Sequence, residues 1–334
     1  MLGRLFYRWE MALAAKDTSR SARPFAWGTE FLDPGCHLDD PLQYLIRYAR
    51  AAVEKSDAFY SYPAVVDFRL EEDHLTFTSP LATVYPENNI THGRYFPAKS
   101  RGRVILVLPQ WNSGAQGHVA LCRLLNRFGL SALRLSLPYH DRRMPEGQVR
   151  ADYMLSPNLG RTLQAVRQAV IDARAAIDWL ESEGYKEFAV LGTSLGSCVA
   201  MITQAHDRRV KLSVLNHVSP YFADVVWTGL STRPVRAGLE GHIGLARLRR
   251  VWMPLSPRAY FERMAGTGKA SFLIHAIYDY SFLPHLSRIV LREYNRLRIP
   301  HTHLALPCGH YSSGEFPFNV ALGLAICNYL RRNL

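Results

Sequence analysis

From residue 104 onward the apolar residues fall into short unbroken runs separated by stretches with a helical period. Runs at 104–108, 132–137, 188–191, 211–215, 272–277 and 302–306 read as strands buried on both faces. Between them, residues 119–128 have helical spacing and stop at Gly129. Residues 158–182 place Leu159, Leu163, Val166, Val170, Ile177 and Leu180 on one stripe, with Gly184 just past the end. Further helices are expected at 195–205, 284–298 and 317–332. Strands alternating with helices predict an α/β architecture, a mostly parallel central sheet with helices on both faces.

The first hundred residues have a different rhythm. Helical spacing at 5–15 and at 42–55, the latter opened by Asp40-Pro41, is followed by two alternating segments, 65–70 and 75–79, around the polar turn Glu71-Glu72-Asp73-His74. Residues 1–100 are expected as an N-terminal extension, with short helices and antiparallel strands, packed on a core domain at 101–334. One stretch, 217–269, breaks the later alternation and is too long for a plain connection. It holds Arg233, Arg236, Arg247, Arg249, Arg250, Arg258, Arg263 and Lys269 against Asp224, Glu240 and Glu262. It is expected as an inserted cap above the sheet; its arginines form a solvated face or recognise an anionic group, the former favoured.

Composition narrows the function classes. With 48% hydrophobic and 20% charged residues, the 334-residue chain is an ordinary globular protein. No apolar stretch reaches the roughly 18–20 residues that span a bilayer, and Arg8 and Glu10 interrupt any signal-like run. No transmembrane segment and a cytoplasmic location are expected. The formal charge is +12, yet no nucleic-acid-binding motif accompanies it, which argues against nucleic acid as a partner. Cys36, Cys122, Cys198, Cys308 and Cys327 lack zinc-ligand spacing and read as small core residues.

The segment Gly192-Thr193-Ser194-Leu195-Gly196 carries the chemistry. The string alone is weak, but it follows an apolar strand and opens a helix. A serine projected from so sharp a turn needs small neighbours, and the Leu195 amide at the helix start points where an oxyanion would form. In this setting the chain resembles the α/β-hydrolase superfamily over roughly residues 103–334, in its capped branches. A weaker likeness to dienelactone-hydrolase-like members rests on the tail around Asp279 and His310.

The resemblance implies a chain order of nucleophile, acid, histidine. Asp279 follows the strand at 272–277, and His310 follows the last strand with Gly309 beside it. Asp279 has a plainer reading as a cap of the helix from Pro284, with Asp224 as the other candidate acid. The implied triad is Ser194 as nucleophile, His310 as base and Asp279 as its orienting carboxylate. The family's second oxyanion donor follows the strand at 104–108, where this chain reads Pro109-Gln110-Trp111-Asn112-Ser113-Gly114. The Trp111 amide is the expected donor, with Gln110 and Asn112 as alternatives and substrate contacts. Residues 138–143, including His140, reach the substrate or form a solvated loop, the latter favoured.

The expected function is hydrolysis of an ester-type bond in a small acyl substrate, without metal or organic cofactor. Peptidases, thioesterases and acyltransferases use the same triad, and a silent ligand-binding protein can keep the same fold.

Overall fold

A computed structural model describes residues 2–35 and 39–334. The strands are β1 (Arg69–Glu71), β2 (His74–Thr78), β3 (Ile90–Phe96), β4 (Arg103–Leu108), β5 (Ser131–Leu135), β6 (Glu187–Thr193), β7 (Val210–Asn216), β8 (Ala270–Ala276) and β9 (His301–Leu306). They form one sheet in the order β1-β2-β3-β5-β4-β6-β7-β8-β9. The five pairings from β5 to β9 are parallel and the three on the other side are antiparallel. Residues 69–96 thus belong to the sheet itself, as its antiparallel flank.

The helices are α1 (Leu2–Ala15), α2 (Pro41–Glu54), α3 (Ser56–Phe59), α4 (Val119–Arg127), α5 (Leu159–Ser182), α6 (Leu195–His206), α7 (Phe222–Thr228), α8 (Arg233–Leu239), α9 (Leu245–Val251), α10 (Phe261–Met264), α11 (Pro284–Arg296) and α12 (Phe318–Asn333). α5 begins at Asn158, whose side chain accepts the Arg161 N–H. α2 is capped the same way by Asp40.

The two-residue period of β4 divides the core. Val104, Leu106 and Leu108 pack with the α5 and α6 side chains on one face. Ile105 and Val107 pack with those of α4 and α12 on the other. The helical segments α7–α10 fill 222–264, where the strand–helix alternation lapses.

Two expectations need correction. β3 was not anticipated, because its buried positions are Thr91, Gly93 and Tyr95, which give no apolar alternation to read. The loop at 138–143 is not solvated. His140 and Arg143 are buried, and the Arg143 guanidinium lies 2.8 Å from the Asp172 carboxylate. Cys122, Cys198, Cys308 and Cys327 are buried and unpaired, while Cys36 lies outside the described residues. Among the described residues no helix is long and apolar enough to cross a membrane.

Candidate active site

Ser194 sits between β6 and α6 with φ 56° and ψ −119°, in left-handed territory that a side chain rarely occupies. The two glycines of the motif make that turn possible. A Cβ on Gly192 would run into the Gly196 carbonyl, and one on Gly196 into the carbonyls of Leu108 and Pro109. The turn is tied from behind: Ser194 N–H donates to Asn216 O at 2.8 Å, and His118 Nε2 meets Thr193 Oγ1 at 2.9 Å. Burial holds the His118 pKa down to about 4, so this ring is a neutral brace.

Asp279 and His310 follow β8 and β9, and the two turns are stitched together. Ile277 N–H donates to Leu306 O, and Tyr278 N–H to Cys308 O. Asp279 Oδ1 accepts the N–H groups of Ser281 and Phe282, both at 2.7 Å. Its Oδ2 meets His310 Nδ1 at 3.1 Å and His217 Nδ1 at 2.8 Å. Burial alone would raise this carboxyl's pKa. The His310 charge and the hydrogen bonds from both rings outweigh it and hold the group well below the usual carboxylate range. The His310 ring lies flat against Phe282, with centroids 5.4 Å apart.

Neither Ser194 Oγ nor His310 Nε2 has a hydrogen-bond partner among the described residues, so each is free to engage a substrate. Catalytic contacts of this kind often tighten only when substrate is bound. The N–H groups of Leu195 and Trp111 are likewise unengaged among the described residues. Both residues line, with Ser194, an open cavity enclosing about 500 Å³, solvent at its mouth included, whose walls are mainly apolar: Leu155, Cys198, Phe222, Val225, Val226, Pro257 and Phe282.

Gln110, Asn112 and His140 are not on that wall. His140 Nδ1 bonds Pro138 O and its Nε2 accepts the Asn112 N–H at 2.9 Å, while Asn112 Oδ1 accepts the Ala151 N–H. With both ring nitrogens engaged and burial pushing its pKa down to about 4, His140 props the 109–114 loop from beneath. Asp224 is bound in two places by Arg249, at 2.6 and 3.0 Å, which removes it as an alternative acid. Arg236, Arg258 and Arg263 in the same inserted stretch are also in ion pairs. A smaller hollow of about 270 Å³ shares Trp111 and Leu155 with the cavity, and its arginines come from elsewhere: Arg20, Arg23 and Arg150. They pair with Asp17 and Asp152.

Sequence reasoning missed two residues at this site. His217 immediately follows β7, the same strand-end position that singled out Ser194, and that was the available signal. Glu10 of α1 is fully buried, and its carboxylate accepts the N–H groups of Tyr311 at 2.9 Å and Ser312 at 2.8 Å. It lies where any side chain on Gly309 would be. Phe6 of the same helix stacks on Tyr278, and Tyr7 packs edge-on to Tyr280, so α1 touches both neighbours of Asp279. No pattern in the sequence pairs Glu10 with this loop.

Among the described residues one group, His217, Asp279 and His310, has atoms able to hold a metal within 4.8 Å of one another. Its short contacts are ring N–H to carboxylate bonds, and a cation there would displace the protons that tie both rings to Asp279.

Residues 118–234 match the family model described as "Alpha/beta hydrolase domain containing 18". No match was found among curated proteins. Solved structures superimpose widely at low identity. The acetyl xylan esterase from Paenibacillus sp. R4 gives a TM-score of 0.60 at 15% identity, covering 90% of this chain and 98% of that one. Acetyl xylan esterase 1 from Thermoanaerobacterium sp. JW/SL YS485 gives 0.60 at 13%, covering 88% and 99%. The Pyrococcus horikoshii acylaminoacyl peptidase gives 0.60 at 14%, covering 81% of this chain and 42% of that one, so the chain spans about two fifths of the peptidase. Sheet order and structural neighbours give the chain the α/β-hydrolase fold, and the segment similar to the matched family includes the Gly192–Gly196 turn.

Proposed function

We propose that the chain is a serine hydrolase that cleaves an ester-type acyl bond through an acyl-enzyme on Ser194. The observation that carries this reading is a serine held at positive φ at the start of α6, facing an apolar cavity, with the Asp279–His310 hydrogen bond two strands away. His310 Nε2 takes the serine proton as Oγ attacks the acyl carbon, then returns it to the departing alcohol. Asp279 fixes the Nδ1–H tautomer of His310 and stabilises the imidazolium that forms. The N–H groups of Leu195 and Trp111 receive the oxyanion. Water activated by His310 then releases the acid.

The apolar cavity suits a hydrocarbon-rich acyl group, and residues 217–269 act as its cap through Tyr221, Phe222, Val225, Val226 and Pro257. Ester cleavage is preferred over amide cleavage because the esterases among the structural neighbours match this chain over nearly their full length, whereas the peptidase does not.

Fluorophosphonate labelling tests the reading without a known substrate. The wild-type protein is expected to be modified at Ser194, with labelling abolished in Ser194→Ala and reduced at least about 100-fold in His310→Ala. A folded wild-type protein that takes up no label would overturn it.

A further inference from the structure

His217 is buried, stands at φ 63°, and does not line the cavity, yet its Nδ1 is closer to Asp279 Oδ2 than that of His310. For two rings to share one carboxylate oxygen, both Nδ1 atoms must carry protons. Nε2 of His217 is then an acceptor, and Ser313 Oγ is 3.2 Å from it. Ser313 Oγ is also 2.7 Å from His310 O, so its single hydrogen serves one of the two at a time. The His217 carbonyl lies 2.6 Å from Ser197 Oγ, which is 2.7 Å from Ser194 O. One residue therefore touches the acid through its ring and, through Ser197, the backbone of the nucleophile turn.

The surroundings of His217 define its charge. Asp279 comes from the β8 turn, His310 from the β9 turn, Glu10 from α1 and His275 from β8. Burial and the charge of His310 push its pKa below the usual histidine value, against the pull of Asp279 and Glu10. That direction favours the neutral ring of His217, whose Nε2 can then accept from Ser313. Tyr311, beside His310 and bonded to Arg20, is the other titratable neighbour of that turn.

We propose that His217 is a positioning residue for the Ser194–His310–Asp279 site, giving Asp279 Oδ2 a second N–H so that the carboxylate is held in place and its pull on His310 is tempered. The proposal rests on the triad reading above. A carboxylate with one donor fewer attracts a neighbouring imidazolium more strongly. Removing the His217 donor therefore raises the pH at which His310 takes up its proton, and less of the base is free at a given pH.

The test is the rate of fluorophosphonate labelling across about pH 5 to 9, with thermal melting as a folding control. Two substitutions suit the left-handed backbone at this position. H217N places its Nδ2–H where Nδ1–H stood, and H217G removes the donor without backbone strain. The acid limb is expected to move to higher pH by about half a unit or more in H217G and to stay near its wild-type position in H217N. An equal loss of rate at every pH in H217G, with the limb unmoved, would reduce His217 to a packing residue and overturn the proposal. Downfield proton NMR of the wild type supplies a readout that needs no variant to fold. Two hydrogen-bonded imidazole N–H resonances are expected, one of which disappears in H217N, and a single resonance in the wild type contradicts the shared oxygen. A wild type that never labels refutes the triad. One that labels, with a limb indifferent to H217G, refutes only the role of His217.

Discussion

A methyl group is enough to test the turn that carries Ser194. In Gly196→Ala the new Cβ meets two backbone carbonyls, Leu108 and Pro109, which no rotamer change can move aside. The expected outcome is loss of Ser194 labelling with a lowered melting temperature, whereas Ala at Gly114, where a Cβ meets nothing, leaves both near wild type. Charge pairs are graded by burial in the same way. Arg143 is fully buried against Asp172 and also donates to the carbonyls of Asn88 and Ser136. Truncating it strands a carboxylate in the core, and Arg143→Ala is expected to cost about 3–5 kcal/mol in denaturant unfolding. Arg236→Ala breaks a pair in which both Arg236 and Glu240 are exposed, and about 1 kcal/mol or less is expected.

At the scale of elements, β4 to β8 were readable because burial on both faces leaves apolar runs, whereas β9, at the sheet edge, keeps Thr302, His303 and Ala305 exposed. The triad candidates were readable because strand ends are where such a fold can expose a side chain. What α1 does was not readable. Its partner loop lies some three hundred residues away, and a glutamate in an amphipathic helix ordinarily faces water. Here Glu10 satisfies two N–H groups beside His310. Glu10→Ala leaves both without an acceptor, at about 1–3 kcal/mol. The labelling rate of Ser194 is expected to fall more than this loss of stability explains at temperatures where the variant remains folded. Unchanged labelling would mean the loop holds its shape unaided. β3 shows the same limit from the other side, since a strand whose inward residues are Thr91, Gly93 and Tyr95 is recognisable only from its neighbours.

Across the whole molecule, neutral buried histidines set the response to acid. His140 and His206 are buried, and burial lowers each from 6.5 to about 4. Between those values the unfolded chain binds protons that the folded chain refuses, so stability falls as pH drops from about 6.5 toward 4. Melting temperatures are expected to decline over that window beyond what carboxylate titration gives, and His140→Gln is expected to flatten part of the decline. A melting temperature constant from pH 6.5 to 4.5 would contradict the neutral assignment.

The grip of Glu10 on the Tyr311–Ser312 backbone joins groups 301 and 302 residues apart. During synthesis the helix that carries Glu10 emerges first and must wait, its carboxylate still hydrated, until the loop after β9 has left the ribosome. Strands β1–β8, the helices between them and the serine turn all leave the ribosome before that moment, and α12 follows it. The histidine loop is therefore secured late, by a clasp between an early helix and a late loop. A nascent chain can be compact, with Ser194 already at its turn, and still lack the anchor of the loop that carries His310.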